Sequence, residues 1–285
     1  MKKTRDIIVV KCGGNASIDP TAICADIAYL ASVGRRVILV HGGSADIQNL
    51  ADRLDVRLKR MTSLDGLSAR YTDDAALEVV SLALAGVVQP RLVSELISNG
   101  VAAVGLTGVQ GALIRARRRR AQRVLVGSRQ VIVRGDRSGR ITGVNVKLLY
   151  TLLDAHFTPV ISPPVLAEDA NVVNADADRV AASVAGAVRA EVLVLLTGAP
   201  GVLADSSDPQ SVMPVCVVPR DGPPPMREAG IAVKLLAARD ALTAGVPTVF
   251  IAGGNGPQPV RRALAGKATR MSLGTSPAPA HGSAR

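Results

Sequence analysis

The stretch Ile7-Ile8-Val9-Val10-Lys11-Cys12-Gly13-Gly14-Asn15 constrains this chain most. A continuous apolar run of strand length reads as a strand buried on both faces of a parallel sheet. Its abrupt end in a lysine and paired glycines reads as a phosphate loop. Glycines let backbone N–H groups close on an anion, and the lysine adds a mobile positive charge beside them. Alone, the motif is equally compatible with a tight turn, because Lys-x-Gly-Gly lacks the spacing of the common P-loop. The pattern recurs, however: Val37 to Val40 is a second buried strand, and it runs into His41-Gly42-Gly43-Ser44. In a parallel sheet both loops lie at one edge, outside the carboxyl ends of the strands, where open α/β sheets bind ligands.

The rest of the chain continues this alternation. Asp19-Pro20 starts a helix whose Ile23, Ile27 and Leu30 share a face until Gly34, and Ala45 to Leu54 is another. Met61 to Asp73 is a polar, turn-rich interruption carrying Arg70. A helix is expected from Asp74 to about Val88 and a separate one from Pro90 to near Gly100, followed by a third strand, Val101 to Gly105. Ala112 to Val133 alternates in the manner of antiparallel hairpins laid over the main sheet, with a turn at Gly127-Ser128 and a solvated turn at Arg117-Arg118-Arg119-Arg120. Helix Val146 to Asp154 precedes a fourth strand, Thr158 to Ile161, ended by Pro163-Pro164. Asn174 to Asp178 caps an alanine-rich helix, Arg179 to Val188. A fifth strand, Glu191 to Leu196, ends in Thr197-Gly198-Ala199-Pro200-Gly201. Helix Met226 to Ala244 carries Lys234, and Thr248 to Ile251 is a sixth strand. The expected fold class is α/β: a three-layer αβα sandwich with a mainly parallel central sheet, plus β-hairpins.

With 48% hydrophobic and 20% charged residues over 285 positions, the composition is that of a globular chain. No apolar segment is expected to reach transmembrane length, and Met1 to Arg5 leads into the first strand without a separate apolar region. Secretion and membrane spanning are therefore not expected, and a cytoplasmic location is. Cys12, Cys24 and Cys216 are odd in number and lack metal-ligand spacing, which fits reduced thiols and no metal site. The formal charge of +11 attracts polyanions: nucleic acid, a nucleotide or an acidic protein. No aromatic residues interleave with the arginine run, so nucleic acid is the poorer fit.

Strand-loop-helix units with glycine ends and two well-separated lysines suit phosphoryl transfer, which needs charge neutralisation and in-line positioning more than covalent help. Lys11 and Lys234 could supply two cations, and the Gly13, Gly14, Gly42 and Gly43 amides neutral donors. Asp178 could orient the lysines, and Arg70 could pair with a substrate carboxylate. Each residue singly also reads as an ordinary structural one: a solvated lysine, a helix cap, a surface turn.

In order, however, Lys11-x-Gly-Gly, His41-Gly-Gly, Ser63 with Arg70-Tyr-Thr-Asp, Asn174-x-Asp-x-Asp178, Leu-Leu-Thr197-x-x-Pro-Gly201 and Lys234 resemble the amino acid kinase family over residues 5 to 273. The likeness is greatest to the acetylglutamate kinases and to their relatives that act on carrier-bound 2-aminoadipate or glutamate. Arg70-Tyr-Thr-Asp, Arg134-Gly135-Asp136-x-x-Gly139 and Asp176 lean toward the carrier-protein branch, and the basic charge agrees with a small acidic carrier protein as substrate. The resemblance implies an amino acid kinase domain over 1–273, with an N-lobe of about 1–170 for the amino acid and its carrier and a C-lobe of about 171–273 for the nucleotide. Residues 274–285 form a tail of disordered composition. It implies a homodimer using ATP and Mg²⁺, with Lys11, Lys234 and Asp178 catalytic. Gly42, Gly43, Arg70 and Asn174 would bind the substrate, and Gly13, Gly14, Thr197 and Gly201 the nucleotide or its phosphates. Arg117, Arg118, Arg119, Arg120 and Arg134 would form the carrier-docking face. Asp176 or Asp178 could fill the catalytic register, and the placement of Arg179 and the alanine helix favours Asp178. Residue 198 is Gly where the family usually has Asp. The alternatives are an N-acetylglutamate kinase acting on the free acetylated amino acid, and a non-catalytic nucleotide- or nucleic-acid-binding protein on the same fold.

Overall fold

The structure, a computed structural model, describes residues 6–14, 17–64, 66–126, 129–226 and 228–274. The strands in chain order are β1 (Ile7–Cys12), β2 (Arg36–His41), β3 (Lys59–Ser63), β4 (Ser68–Tyr71), β5 (Ala103–Gly108), β6 (Ile114–Arg118), β7 (Ala121–Val126) and β8 (Arg129–Arg134). They continue with β9 (Gly139–Val144), β10 (Thr158–Ala167), β11 (Val172–Val173), β12 (Val192–Thr197), β13 (Val215–Val218), β14 (Thr248–Gly253) and β15 (Thr269–Leu273). The helices are α1 (Pro20–Ser32), α2 (Ser44–Arg53), α3 (Asp74–Ser81), α4 (Gln89–Ser98), α5 (Val146–Asp154), α6 (Ala177–Ala187), α7 (Ala229–Thr243) and α8 (Pro259–Leu264).

Eleven strands form one sheet in the order β13-β15-β14-β12-β1-β2-β10-β6-β9, with β5 and β11 also paired to β10. The pairings around β1 are all parallel. Side chains alternate along each strand, so the apolar run of β1 is shared between two cores. Ile7 and Val9 pack with α5, α6 and α7, while Ile8 and Val10 pack with α1, α2, α3, α4 and α8. This is the expected αβα sandwich with a mainly parallel sheet. After β1 the chain runs through α1 to β2 on one side, whereas β12 reaches the other side from α6 on the opposite face. The loop after β1 thus lies at the point where the strand order reverses, the place at which open α/β sheets bind ligands.

Four boundaries differ from the sequence reading. The polar interruption around Met61 is a β3–β4 hairpin, which joins β7 and β8 in a separate four-stranded sheet; its mixed polarity goes with residues that are mostly half-buried. Only β7 and β8 of the expected hairpins belong there, since β6 and β9 extend the main sheet. The Gly127-Ser128 turn lies outside the described residues, as does the tail beyond Gly274. Pro163-Pro164 does not end β10: the strand pairs with β5 and β2 before the prolines and with β11 and β6 after them. The two residues that cannot donate N–H groups fall where the partners change.

Pro90 does not start a new helix either. A π-helical stretch, Leu82–Val88, joins α3 to α4, and the wider turn accommodates the proline ring over the unhindered Gly86, four residues back. By length and composition the resulting 25-residue helix, Asp74–Ser98, could cross a membrane, contrary to expectation. In the fold its Val79, Val80, Ala83, Leu84, Val88, Leu92 and Leu96 are buried against the sheet layer.

Candidate active site

β1 delivers Lys11 to the sheet edge, and α6 delivers Asp178 opposite it. The α6 N-cap is Asp176, whose Oδ1 accepts the N–H groups of Asp178 and Arg179 at 2.9 and 3.0 Å. The two aspartates differ in setting: Asp176 is exposed and caps, while Asp178 turns inward from the first helical turn. Lys11 Nζ lies 3.0 Å from Asp178 Oδ1. Lys234, on α7, donates to both oxygens of the same carboxylate, at 3.1 and 3.0 Å. An Arg179–Asp240 ion pair of 2.7 Å ties α6 to α7 and fixes that approach.

All three side chains are buried, with residue exposures of 5, 6 and 8% for Lys11, Asp178 and Lys234. Burial alone would raise the Asp178 carboxyl, but the two ammonium groups more than reverse this and hold it at about 2. Burial also works against the Lys11 ammonium, and Asp178 overcomes it, leaving Lys11 above its ordinary value. For Lys234 burial prevails and its value falls. Two buried cations share one buried carboxylate, and the exposed Asp176 is the next anion whose field reaches both. Such a site favours an incoming anion.

The glycine loops meet beside this cluster. Gly14 carbonyl accepts from Ala45 N at 2.8 Å and from Ser44 Oγ at 2.7 Å. A Cβ on Gly14 would overlap the backbone nitrogens of Gly43 and Ser44, so only glycine lets the loops close. Gly43 faces Leu84 and Val88, and Gly42 lies against Ala177 at the start of α6. His41 is fully buried, with Nδ1 3.0 Å from the Gly42 carbonyl. Burial, reinforced by Lys11 and Arg91 against the Gly42 contact, lowers it to about 4, so it is neutral at pH 7 and donates through Nδ1. Burial pushes the Cys12 thiol up to about 11, which makes it a packed residue rather than a nucleophile.

Arg70 and Asn174 approach from the small sheet. Arg70 is half-buried on β4, opposite Arg60, and burial together with that neighbour lowers its value. Two residues on, Thr72 Oγ1 accepts from Asn174 Nδ2 at 3.2 Å. Asn174 stands four residues before Asp178, so the end of β4 is joined through Thr72 to the lead-in of the helix bearing that carboxylate.

On the β12 side of β1, Gly13 lies beside the Leu196 carbonyl near the end of β12, next to Thr197. The Thr197 carbonyl accepts from Gly254 N at 2.8 Å. Gly201 is buried against Thr269 and Val212, and Val202 N donates to Thr269 Oγ1 at 2.9 Å. Gly13, Thr197 and the Gly253-Gly254 turn therefore form one continuous rim.

The arginine run is not a solvated turn. Arg117 and Arg118 belong to β6 of the main sheet, and Arg119 and Arg120 bridge to β7 of the small one. Arg117, Arg119, Arg120 and Arg134 are exposed, whereas Arg118 is half-buried and its Nε is enclosed without a partner. Its backbone N–H donates to Glu168 at 3.2 Å.

The donor set fits a nucleotide triphosphate: two buried ammonium groups and two glycine turns converge on one edge. No group of three His, Cys, Asp or Glu side chains among the described residues is placed to hold a metal. Mg²⁺ would therefore be carried chiefly by phosphate oxygens of the nucleotide. Sequence reasoning assigned no role to His41, Ser44, Thr72 or Asp136, although all four lie in motifs it singled out.

The sequence profile described as the amino acid kinase family matches residues 6–253. The chain is 35% identical to the [LysW]-aminoadipate kinase of Deinococcus radiodurans over 270 residues, covering 94% of this chain and 92% of that protein. It is 38% identical to the acetylglutamate kinase of Methanopyrus kandleri, covering 83% and 91%. Among solved structures, a carbamate kinase from Giardia superposes with a TM-score of 0.64 at 15% identity, covering 95% of this chain and all of that one. That last likeness concerns the fold alone. The family profile and the two relatives together show that this chain belongs to the amino acid kinase family.

Proposed function

We propose that this chain is an ATP-dependent kinase acting on a carboxylate: the side-chain carboxylate of 2-aminoadipate, or of glutamate, whose amino group is joined to a small acidic carrier protein. The observation that carries the chemistry is the buried Lys11–Asp178–Lys234 cluster, in which one carboxylate holds two ammonium groups side by side. The likeness to a [LysW]-aminoadipate kinase over nearly the whole of both chains supports the substrate.

In this reading a substrate carboxylate oxygen attacks the γ-phosphorus, the bond to the β,γ-bridging oxygen breaks, and an acyl phosphate and ADP result. Lys11 and Lys234 neutralise charge on the transferring group and on the leaving oxygen. Asp178 holds both ammonium groups in place. The Gly13 and Gly14 amides meet the phosphates, and Thr197 and Gly201 shape the nucleotide loop. Gly42, Gly43, Arg70 and Asn174 hold the amino acid. When bound with the nucleotide, Mg²⁺ supplies further neutralisation of phosphate charge. The exposed Arg117, Arg119, Arg120 and Arg134 receive the acidic carrier, and the enzyme works as a homodimer.

A hydroxamate assay for acyl phosphate with ATP and Mg²⁺ tests this reading, using carrier protein loaded with each amino acid beside N-acetylglutamate and N-acetyl-2-aminoadipate. Turnover confined to the loaded carrier and lowered about 10²–10³-fold by Lys11→Ala is expected. Turnover only on the free acetylated compounds would assign the chain to acetylglutamate-kinase chemistry, the second reading, which has the weaker support of a 38% identity to the Methanopyrus kandleri enzyme over 83% of this chain.

A further inference from the structure

Asp136 is 1% exposed, and none of the ion pairs among the described residues includes it. A carboxylate buried without a counter-charge is expensive unless hydrogen bonds satisfy it. Its donors come from three separate segments. Thr72 N, just beyond β4, donates to Oδ1 at 3.0 Å. Gln122 Nε2 on β7 and Ser138 Oγ, in the link from β8 to β9, donate to Oδ2. The Gln122 amide cannot turn round, because its Oε1 accepts from Arg119 Nη1 at 3.1 Å and a guanidinium only donates.

The same segments enclose Asn174. Its backbone N–H donates to the Arg137 carbonyl at 2.8 Å, and its carbonyl accepts from Gly139 N at 2.9 Å. Its side chain donates to Thr72 Oγ1, and the Thr72 carbonyl in turn accepts from Arg137 N at 2.7 Å. Asp136 is thus the one buried charge in a closed ring of hydrogen bonds joining the end of β4, which carries Arg70, to the lead-in of α6, which carries Asp178. Tyr71 OH closes the ring from outside by donating to the Arg134 carbonyl at 3.0 Å.

We infer that Asp136 is a positioning residue for the carboxylate substrate: through Thr72 it fixes the Asn174 side chain and the Arg70 strand relative to Asp178. This rests on the amino acid kinase reading given above. The glycine loops and the Thr197 rim share none of these bonds, so nucleotide binding is independent of Asp136.

The test is steady-state kinetics of the full chain with ATP, Mg²⁺ and both loaded carrier and free N-acetyl amino acid, beside thermal melting. Asp136→Asn places an amide N–H₂ against donors whichever way it turns. It is expected to raise the KM for the carboxylate substrate about tenfold, leaving kcat and the KM for ATP within about twofold. Thr72→Val is expected to do the same, and Thr72→Ser, which keeps the hydroxyl, to restore a KM near that of the wild type. If Asp136→Asn does not fold, the Thr72 pair decides. Equal rises in both KM values, or a lowered melting temperature with unchanged KM, would overturn the inference alone. A wild-type protein inactive on every carboxylate substrate would overturn the functional reading and this inference together.

Discussion

Lys234 donates to both oxygens of Asp178, at 3.1 and 3.0 Å, and leaves the Oδ1 side also open to Lys11 at 3.0 Å. One carboxylate therefore sets the spacing of two ammonium groups. Truncating either lysine removes a cation meant for the transferring phosphoryl group, and Lys11→Ala or Lys234→Ala should lower kcat by about 10²–10³-fold with little change in KM. Asp178→Asn leaves two buried cations facing a neutral amide. It should cost about 3–5 kcal/mol of folding stability as well as activity, read by denaturant melts beside the kinetic assay. A normal kcat in the lysine variants would remove the cluster from the chemistry.

The glycines of the two loops are not equivalent. Gly14→Ala pushes a methyl group into the Gly43 and Ser44 backbone and should destabilise the fold by about 1–3 kcal/mol. Gly42→Ala meets only the Ala177 methyl, at 3.6 Å, an ordinary contact. It should fold normally and affect only the KM for the carboxylate substrate. Equal melting temperatures for the two variants would contradict the contact between the loops.

Stability should fall with acid in two steps. His41 has a folded value of about 4 against an ordinary 6.5, so burial favours its neutral form. A depressed value gives stability that is complete above pH 6.5 and lost as pH falls toward 4, by about 3 kcal/mol. Asp178, at about 2 against 3.8, gives stability that is complete above pH 4 and lost between there and pH 2, by about 2 kcal/mol. In denaturant melts across this range, His41→Gln should flatten the upper step and leave the lower one. An unchanged upper step would place the titration elsewhere.

The sandwich was legible because buried parallel strands are continuous apolar runs, and β1, β2, β10 and β12 all carry them. Lys11 and Asp178 were legible because each sits at a strand or helix end where local rules apply. What escaped notice depends on tertiary partners. Most residues of β3 and β4 are half-buried with no in-and-out alternation, so these strands lack the pattern that marks a strand with one buried face. Pro90 looked like a helix start because no local signal announces a π-helical join. Asp136 and Thr72 stand 64 residues apart, and only folding makes their hydrogen bond visible. Short C-terminal elements such as α8 depend on Asp26 of α1, whose buried carboxylate accepts Val260 N and Arg261 N at 2.8 and 3.0 Å.

The exposed arginines provide a test that separates docking from chemistry. Arg117 and Arg120 are exposed around the passage from β6 to β7, whereas Arg118 is half-buried and held by its backbone to Glu168. Charges at an exposed rim act mainly by steering encounter, and salt screens them over about 8–10 Å. Reversing both, as Arg117→Glu with Arg120→Glu, should raise the KM for loaded carrier about tenfold at low ionic strength. The difference from wild type should shrink toward nothing near 1 M salt, while kcat and the KM for ATP stay close to those of the wild type at each salt concentration. Arg118→Glu belongs to a different class: it puts a carboxylate into a partly enclosed position and should lower the melting temperature regardless of substrate. A double variant whose KM rise for loaded carrier persists at 1 M salt, or that raises the KM for ATP equally, would show that these arginines work through the fold and not through a docking surface.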